Sequence, residues 1–68
     1  ELKTIPPLTK REKEILRMIV DGKTSIEIAE ELFVSPLTIE THRRNLMQKF
    51  DVKNVAALIK IATQQQLV

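Results

Sequence analysis

The chain has 68 residues, which is enough for one small domain. Hydrophobic residues make up 43% of it, a share that favours a folded domain over disorder. It contains no cysteine, which excludes disulfide bonds and thiolate zinc sites. The apolar runs are too short to span a membrane, and there is no secretory signal pattern, so we expect a cytoplasmic protein.

Charge is distributed unevenly along the chain. Residues 1–40 contain six Lys or Arg and eight Asp or Glu, whereas residues 41–68 contain five Lys or Arg and one Asp. The carboxy-terminal part should therefore attract phosphates. Basic residues that only solvate a helix surface would give the same distribution, and charge alone leaves both interpretations open.

Residues 1–7 are expected to form a linker or an arm, and residues 8–68 a folded domain. Pro6 and Pro7 prevent a helix from running through this segment and favour an extended backbone. Because the chain begins at Glu1 and not at methionine, we expect that an amino-terminal part has been removed and that this segment ends an interdomain connection, although processing would leave the same start.

The first two helices are marked by repeated start signals. Thr9 and Glu12 form a capping box, and the apolar residues that follow at helical spacing predict a helix over about 10–21. Gly22 follows the last of them, where a left-handed residue ends a helix most easily. Thr24 and Glu27 repeat the capping box and start a helix over about 25–32, with Ile28, Ala29 and Leu32 facing inward. Ala29 suits a close crossing of two helices, or is an ordinary helix alanine.

A third helix is predicted over about 36–50. Residues 33–35 form a tight turn, Ser35 caps the helix, and Pro36 occupies its first position, where no N–H is needed. Four apolar residues give this helix an inward face: Ile39, Leu46, Met47 and Phe50.

Asn54 is predicted to cap a fourth helix that runs to about Gln66. Its apolar residues surround most of its circumference, which is more than one buried stripe requires. Either this helix is deeply buried, or its second face meets a partner molecule. In so small a domain the partner is the favoured interpretation.

Two helices joined by a tight turn predict a helix-turn-helix, in which the second helix enters the major groove of DNA. The residues expected to face the bases are Leu37, Glu40, Thr41 and Arg44. The residues expected to contact phosphates are Lys23, Thr24, Ser25, Thr38, His42, Arg43, Asn45 and Lys49. The arginines could instead be surface charges, with Glu40 paired to Arg43 or Arg44, and His42 could be a packing residue.

The chain also resembles the LuxR/NarL-type DNA-binding domains of bacterial transcription regulators. The matching residues run without gaps from Leu8 to Lys49: Leu8, Thr9, Arg11, Glu12, Glu14, Ile15, Leu16, Gly22, Thr24, Glu27, Ile28, Ala29, Leu32, Ser35, Thr38, Ile39, His42, Asn45, Leu46 and Lys49. The resemblance covers about residues 8–62. It implies an all-α fold of four helices with a recognition helix over about 36–50, and double-stranded DNA as partner. The same four positions, 37, 40, 41 and 44, would read the bases.

The resemblance further implies a preceding amino-terminal regulatory domain, most often a phosphate-accepting receiver or a small-molecule sensor. It also implies a homodimer formed on DNA through the last helix, which agrees with the surplus of apolar residues in that helix. The expected dimer residues are Val55, Ile59, Ala62 and Gln66. The chain departs from the family pattern at four positions. Glu40 stands where lysine is frequent, Ile26 where Lys or Arg is frequent, Val55 where arginine is frequent, and Leu58 where alanine is frequent.

Three alternatives stand beside DNA binding by the output domain of a two-component response regulator. The chain could be the output domain of a small-molecule-sensing regulator, or a protein-interaction module built on a helix-turn-helix scaffold. An enzyme is the least favoured, since the chain has one His, no Cys or Tyr, and no glycine-rich phosphate loop. No catalytic residue, cofactor or metal site is expected.

Overall fold

A computed structural model describes residues 7–65. Four helices make up the fold: α1 at Lys10–Val20, α2 at Ser25–Leu32, α3 at Pro36–Lys49 and α4 at Val55–Gln64. Residues 7–65 contain no strand, which confirms the all-α prediction. Within this range no helix has both the length and the apolar character needed to cross a bilayer.

Each helix begins directly after the residue that the sequence predicted as its N-terminal cap. Thr9 and Thr24 both form complete capping boxes, with Glu12 and Glu27 bonding back to the backbone N–H of the threonine. At α3 the Ser35 side chain accepts from the Thr38 N–H at 3.2 Å. Asn54 does the same for the Ala57 N–H of α4 at 2.8 Å. These bonds satisfy N–H groups that have no partner within the helix, and so they fix where each helix starts.

The core forms where α3 packs against each of the other three helices. Its side chains come from all four elements: Ile15, Leu16, Ile19, Ile28, Ala29, Ile39, Leu46, Leu58 and Ala62. Ala29 is buried in α2, where it brings a short side chain to the packing between α2 and α3. Half-buried residues, including Val34 of the turn and Val52 after α3, pack around this centre.

Within residues 7–65, a left-handed residue lies at or just beyond the end of α1, α2 and α3. After α1, Gly22 has φ 91°, and the bonds Gly22 N–H to Ile19 O and Lys23 N–H to Met18 O complete a Schellman motif. Phe33 ends α2 with φ 59°, and Asp51 follows α3 with φ 56°. Only the glycine was predicted, because phenylalanine and aspartate carry no comparable preference for this conformation.

We predict that Phe33→Gly stabilises the domain. The Phe33 side chain is 93% exposed, so its removal costs almost no packing, while glycine relieves the strain of a left-handed residue. The free energy of unfolding should rise by about 0.5–1 kcal/mol after allowance for the greater freedom of glycine in the unfolded chain. Thermal and urea unfolding would measure it, and an unchanged or lower stability would contradict the strain assigned to Phe33.

A polar tie joins the start of α1 to the end of α3. The Lys49 ammonium donates to Glu12 Oε1 at 2.7 Å and to the Pro7 carbonyl at 3.2 Å. Glu12 is only 7% exposed, and the same carboxylate caps α1 through the Thr9 N–H. The bonds from Lys49 and Thr9 lower the pKa of Glu12, because they favour its ionised form. Lys49 therefore connects the end of α3 both to the Glu12 carboxylate of α1 and to the segment that precedes α1.

We predict that Lys49→Met destabilises the fold by about 1 kcal/mol at neutral pH, a value reduced for the partial exposure of the ammonium. A carboxyl whose pKa is lower in the folded state stabilises fully above its unfolded pKa, and this contribution is lost as the pH falls through the folded value. The difference between wild type and variant should therefore shrink as the pH falls below about 4.5, the ordinary pKa of a glutamate.

Lys60→Met provides the matched control, since Lys60 is exposed on α4 and makes no ion pair with any of residues 7–65. Chemical unfolding of both variants across this pH range would test the assignment. A Lys49→Met effect as large at pH 2 as at pH 7 would show that Glu12 is not the relevant partner.

Candidate nucleic-acid interface

The third helix has a buried side and an exposed side. Ile39 and Leu46 are fully buried in the core and fix the inward face of α3. On the other side lies a stripe of four exposed residues, which we call the α3 stripe: Leu37, Glu40, Thr41 and Arg44. Their spacing along the chain places them on one face of the helix. The structure therefore brings together the four residues that were predicted to read bases.

The α3 stripe offers different chemical groups to a ligand. Leu37 is 73% exposed and provides an apolar side chain near the start of the helix. The Thr41 hydroxyl donates to the Leu37 carbonyl at 3.1 Å, so its proton is used within the helix. Arg44 makes no hydrogen bond or ion pair with the described part of the chain, and its guanidinium is available for a bidentate contact.

Glu40 is bonded to the preceding helix. Its Oε2 accepts a hydrogen bond from Ser25 Oγ at 2.5 Å, and Arg43 Nη1 donates to the same serine oxygen at 3.3 Å. The sequence left open a pairing of Glu40 with Arg43 or Arg44, and the structure gives it Ser25 of α2 as partner. Ser25 is 9% exposed, so this contact lies partly under the surface between α2 and α3.

The start of α2 lies beside this contact. Thr24 caps the helix, and Lys23 forms an ion pair with Glu31 at the far end of α2. That ion pair raises the pKa of Lys23, and the main cause is the hydrogen bond that its ammonium donates to Glu31. The first N–H groups of a helix have no acceptor within it, and so they suit an anion such as a phosphate.

The other predicted phosphate contacts fall at different depths around α3. Thr38 and Asn45 are exposed, whereas His42 and Arg43 are half-buried. The Thr38 hydroxyl lies 3.0 Å from Ser35 Oγ at the start of the helix. These four residues flank the α3 stripe on the same helix.

Besides Lys23, whose ion pair with Glu31 is exposed on both sides, two predicted phosphate contacts are engaged within the protein. The Lys49 ammonium is bound to Glu12 and Pro7 at the opposite end of α3, as described above. The Ser25 hydroxyl already donates its single hydrogen bond to Glu40, so it cannot donate one to a phosphate oxygen at the same time. Both side chains have intramolecular roles in this structure, and neither is kept in the proposed phosphate-contacting set.

The predicted dimer surface needs one correction. Ala62 is completely buried among the core residues, so the prediction that it faces a partner is wrong. Its small side chain fits beneath α4, against the inner helices. Val55 and Ile59 are half-buried and pack partly against the core, which leaves part of each side chain exposed. Gln66 lies outside the described residues.

No group of three or more His, Asp or Glu side chains within residues 7–65 is arranged to hold a metal ion. The features of the site are instead a short helix, a tight turn at 33–35 and a longer helix with an exposed polar stripe. This arrangement defines the class of helix-turn-helix domains.

Comparison with known proteins places the chain within that class. The family model described as bacterial regulatory proteins, luxR family, matches residues 6–62. The spore germination protein GerE of Bacillus subtilis (strain 168) is 49% identical over 53 residues, which cover 78% of this chain and 72% of GerE. The chain therefore belongs to the luxR family of bacterial regulatory proteins, and it is a DNA-binding helix-turn-helix domain of a transcription regulator.

Longer proteins contain similar segments. The response regulatory protein YgeK of Escherichia coli (strain K12) is 56% identical over 55 residues, covering 81% of this chain and 37% of YgeK. The solved structure of VqmA from Vibrio cholera, in complex with ligand and DNA, superposes with a TM-score of 0.88 at 28% identity. It covers 98% of this chain and 29% of VqmA. The chain thus spans about a third of the length of these two proteins.

Proposed function

We propose that α3 is the recognition helix and that it binds in the major groove of double-stranded DNA through the α3 stripe. The observation that carries this proposal is that α3 is buried on one side and exposed on the other. Ile39 and Leu46 anchor one side in the core, while all four stripe residues are exposed on the other. A helix fits the major groove, where each base pair presents a different set of donors and acceptors.

Each stripe residue has a role that follows from its chemistry. Arg44 binds the O6 and N7 acceptors of a guanine, and Glu40 accepts from the amino group of a cytosine. The Thr41 hydroxyl is bonded within the helix, so its methyl group and the Leu37 side chain make the apolar contacts, for example with a thymine methyl.

Phosphate contacts would surround these base contacts and orient the domain on the duplex. We propose that they come from the first N–H groups of α2 and from the remaining side chains of the predicted set: Lys23, Thr24, Thr38, His42, Arg43 and Asn45. Binding should then weaken with salt, with a slope of about −0.9 in the logarithm of affinity for each phosphate contacted. A protein-interaction module would show no such salt-dependent binding to DNA.

We predict that Arg44→Ala reduces the preference for the selected DNA sequence by about 10- to 100-fold, because a bidentate pair with guanine is lost. Binding to random duplex should fall much less, since only one charge is removed. Fluorescence anisotropy on a duplex selected from a random library, and on a scrambled duplex of equal length, would measure both effects. Arg17→Ala is the matched control, because Arg17 is exposed on α1 outside the helix pair.

Equal losses on the selected and scrambled duplexes would remove base reading from Arg44. They would make it a phosphate contact, which holds the domain on DNA without carrying sequence information.

We also propose that two copies pair on DNA through α4. The support is that Val55 and Ile59 remain partly exposed although the helix already covers the core with Leu58 and Ala62. Because both residues are half-buried, we place the pairing on adjacent half-sites of one duplex, where DNA holds the two copies close together.

We predict that Ile59→Glu abolishes cooperative binding to paired half-sites, because it places a charge in the proposed partner surface. Binding of the folded variant to a single half-site should stay within about threefold of wild type. Ala56→Glu, at an exposed residue of the same helix, is the control for the added charge. Circular dichroism would verify that both variants fold. Unchanged cooperativity in a folded Ile59→Glu variant would remove α4 from the interface.

We further propose that this domain is the output domain of a two-component response regulator that acts in the cytoplasm, and we assign it no catalytic step. The similarity to the response regulatory protein YgeK supports this proposal. The structural similarity to VqmA, which was solved with a ligand and DNA, supports the alternative of a small-molecule-sensing regulator. Phosphorylation of the full-length protein by acetyl phosphate, measured together with DNA affinity, would distinguish the two.

A further inference from the structure

A single buried hydroxyl connects α2 to two side chains of α3. Ser25 is the first residue of α2, and its Oγ lies within hydrogen-bond distance of both Glu40 Oε2 and Arg43 Nη1. A carboxylate can only accept and a guanidinium can only donate, so the direction of both bonds is fixed. The Ser25 hydroxyl donates a hydrogen bond to Glu40 Oε2, and Ser25 Oγ accepts one from Arg43 Nη1.

The bond leaves one side of the Glu40 carboxylate available. Oε2 is bound to Ser25, whereas Oε1 accepts no hydrogen bond from the described residues. Glu40 is itself exposed. The residue therefore presents one acceptor oxygen to solvent while the other is held by a donor that belongs to a different helix.

We propose that Ser25 is a positioning residue for base reading: it holds the Glu40 carboxylate so that Oε1 selects a base that carries an amino group in the major groove. This inference rests on the proposed role of α3 as the recognition helix. The groups of suitable chemistry are the cytosine N4 and adenine N6 amino groups, which are donors, whereas thymine O4 and guanine O6 are acceptors and would be repelled.

The physical basis is the rotational freedom of a glutamate side chain. An exposed glutamate samples many rotamers and must lose that freedom when it binds a base. A bond to a buried hydroxyl removes much of this freedom before DNA binds. Less side-chain entropy is therefore lost when Glu40 contacts the correct base. The bond also limits where Oε1 can go, and a base without an amino group leaves that acceptor unpaired.

The Arg43 contact supports the same role. The guanidinium reaches the serine oxygen at 3.3 Å, and no ion pair between Arg43 and Glu40 forms within the described part of the chain. Ser25 therefore lies between the two charges, and the carboxylate is not neutralised by a direct ion pair. Arg43 remains beside the α3 stripe, where its charge offsets the repulsion between Glu40 and the phosphates.

The test compares five forms of the 68-residue chain: wild type, Ser25→Ala, Ser25→Thr, Glu40→Ala and the double variant Ser25→Ala with Glu40→Ala. A duplex is first selected from a random library with the wild type. Each base pair is then replaced in turn, and the affinity of every form is measured by fluorescence anisotropy. Thermal unfolding of each form shows whether it is folded.

We expect Glu40→Ala to remove the preference at one base pair, the one whose amino group Oε1 contacts. Ser25→Ala should reduce the preference at that same base pair by about tenfold and leave the other positions unchanged. In the double variant the serine substitution should have no further effect, because its role acts through Glu40. Ser25→Thr keeps the hydroxyl and should restore most of the preference. If Ser25→Ala is unfolded, Ser25→Cys, whose thiol is a weak donor, takes its place with the same expectation.

Three results would overturn the proposal. A uniform loss for Ser25→Ala on selected and random duplexes would make Ser25 a phosphate contact. An unchanged preference in folded Ser25→Ala would show that Glu40 reads its base without help. A full serine effect in the Glu40→Ala background would show that Ser25 acts through another residue. In all three cases the wild type still binds with sequence preference, whereas a wild type without sequence preference would overturn the proposed function itself.

Discussion

The whole arrangement depends on α3 burying one side and no more. Ile39 and Leu46 contact a core to which all four helices contribute, and this fixes the rotation of α3 about its own axis. A rotation by one residue would turn the α3 stripe toward the protein interior. Packing of aliphatic side chains therefore decides which polar residues face outward, although none of these aliphatic residues would touch DNA.

Two polar contacts between distant parts of the chain further restrict the helix positions that the core packing determines. Glu12 and Lys49 join the start of α1 to the end of α3, and Ser25 and Glu40 join α2 to the middle of α3. Each tie uses a residue that is nearly buried and one that is more exposed. In a domain with so small a core, such bonds restrict motions that hydrophobic packing alone would allow.

Local features were predictable from the sequence, and long-range polar contacts were not. The caps at Thr9, Thr24, Ser35 and Asn54 depend on residues three positions apart, so their signals lie within a short segment. The partner of Glu40 lies 15 residues away and that of Lys49 lies 37 away. No pattern of spacing links such pairs before the helices are packed.

The side of α4 that faces the core was not predictable from the sequence. This helix carries more apolar residues than one stripe requires, so the buried position of Ala62 is fixed only when α4 packs against the other helices. The left-handed Phe33 was not expected, since only glycine and, less often, asparagine mark that conformation. The placement of the α3 stripe was predictable because buried and exposed residues alternate along α3 with helical period.

Methylation interference tests the groove assignment most directly. Dimethyl sulfate modifies guanine at N7, which lies in the major groove, and adenine at N3, which lies in the minor groove. Duplexes modified in this way would be separated into bound and unbound fractions with the wild-type chain and mapped base by base. If α3 occupies the major groove, N7-methylated guanines at the site will be depleted from the bound fraction and N3-methylated adenines opposite α3 will not. Depletion of N3-methylated adenines alone would contradict this account.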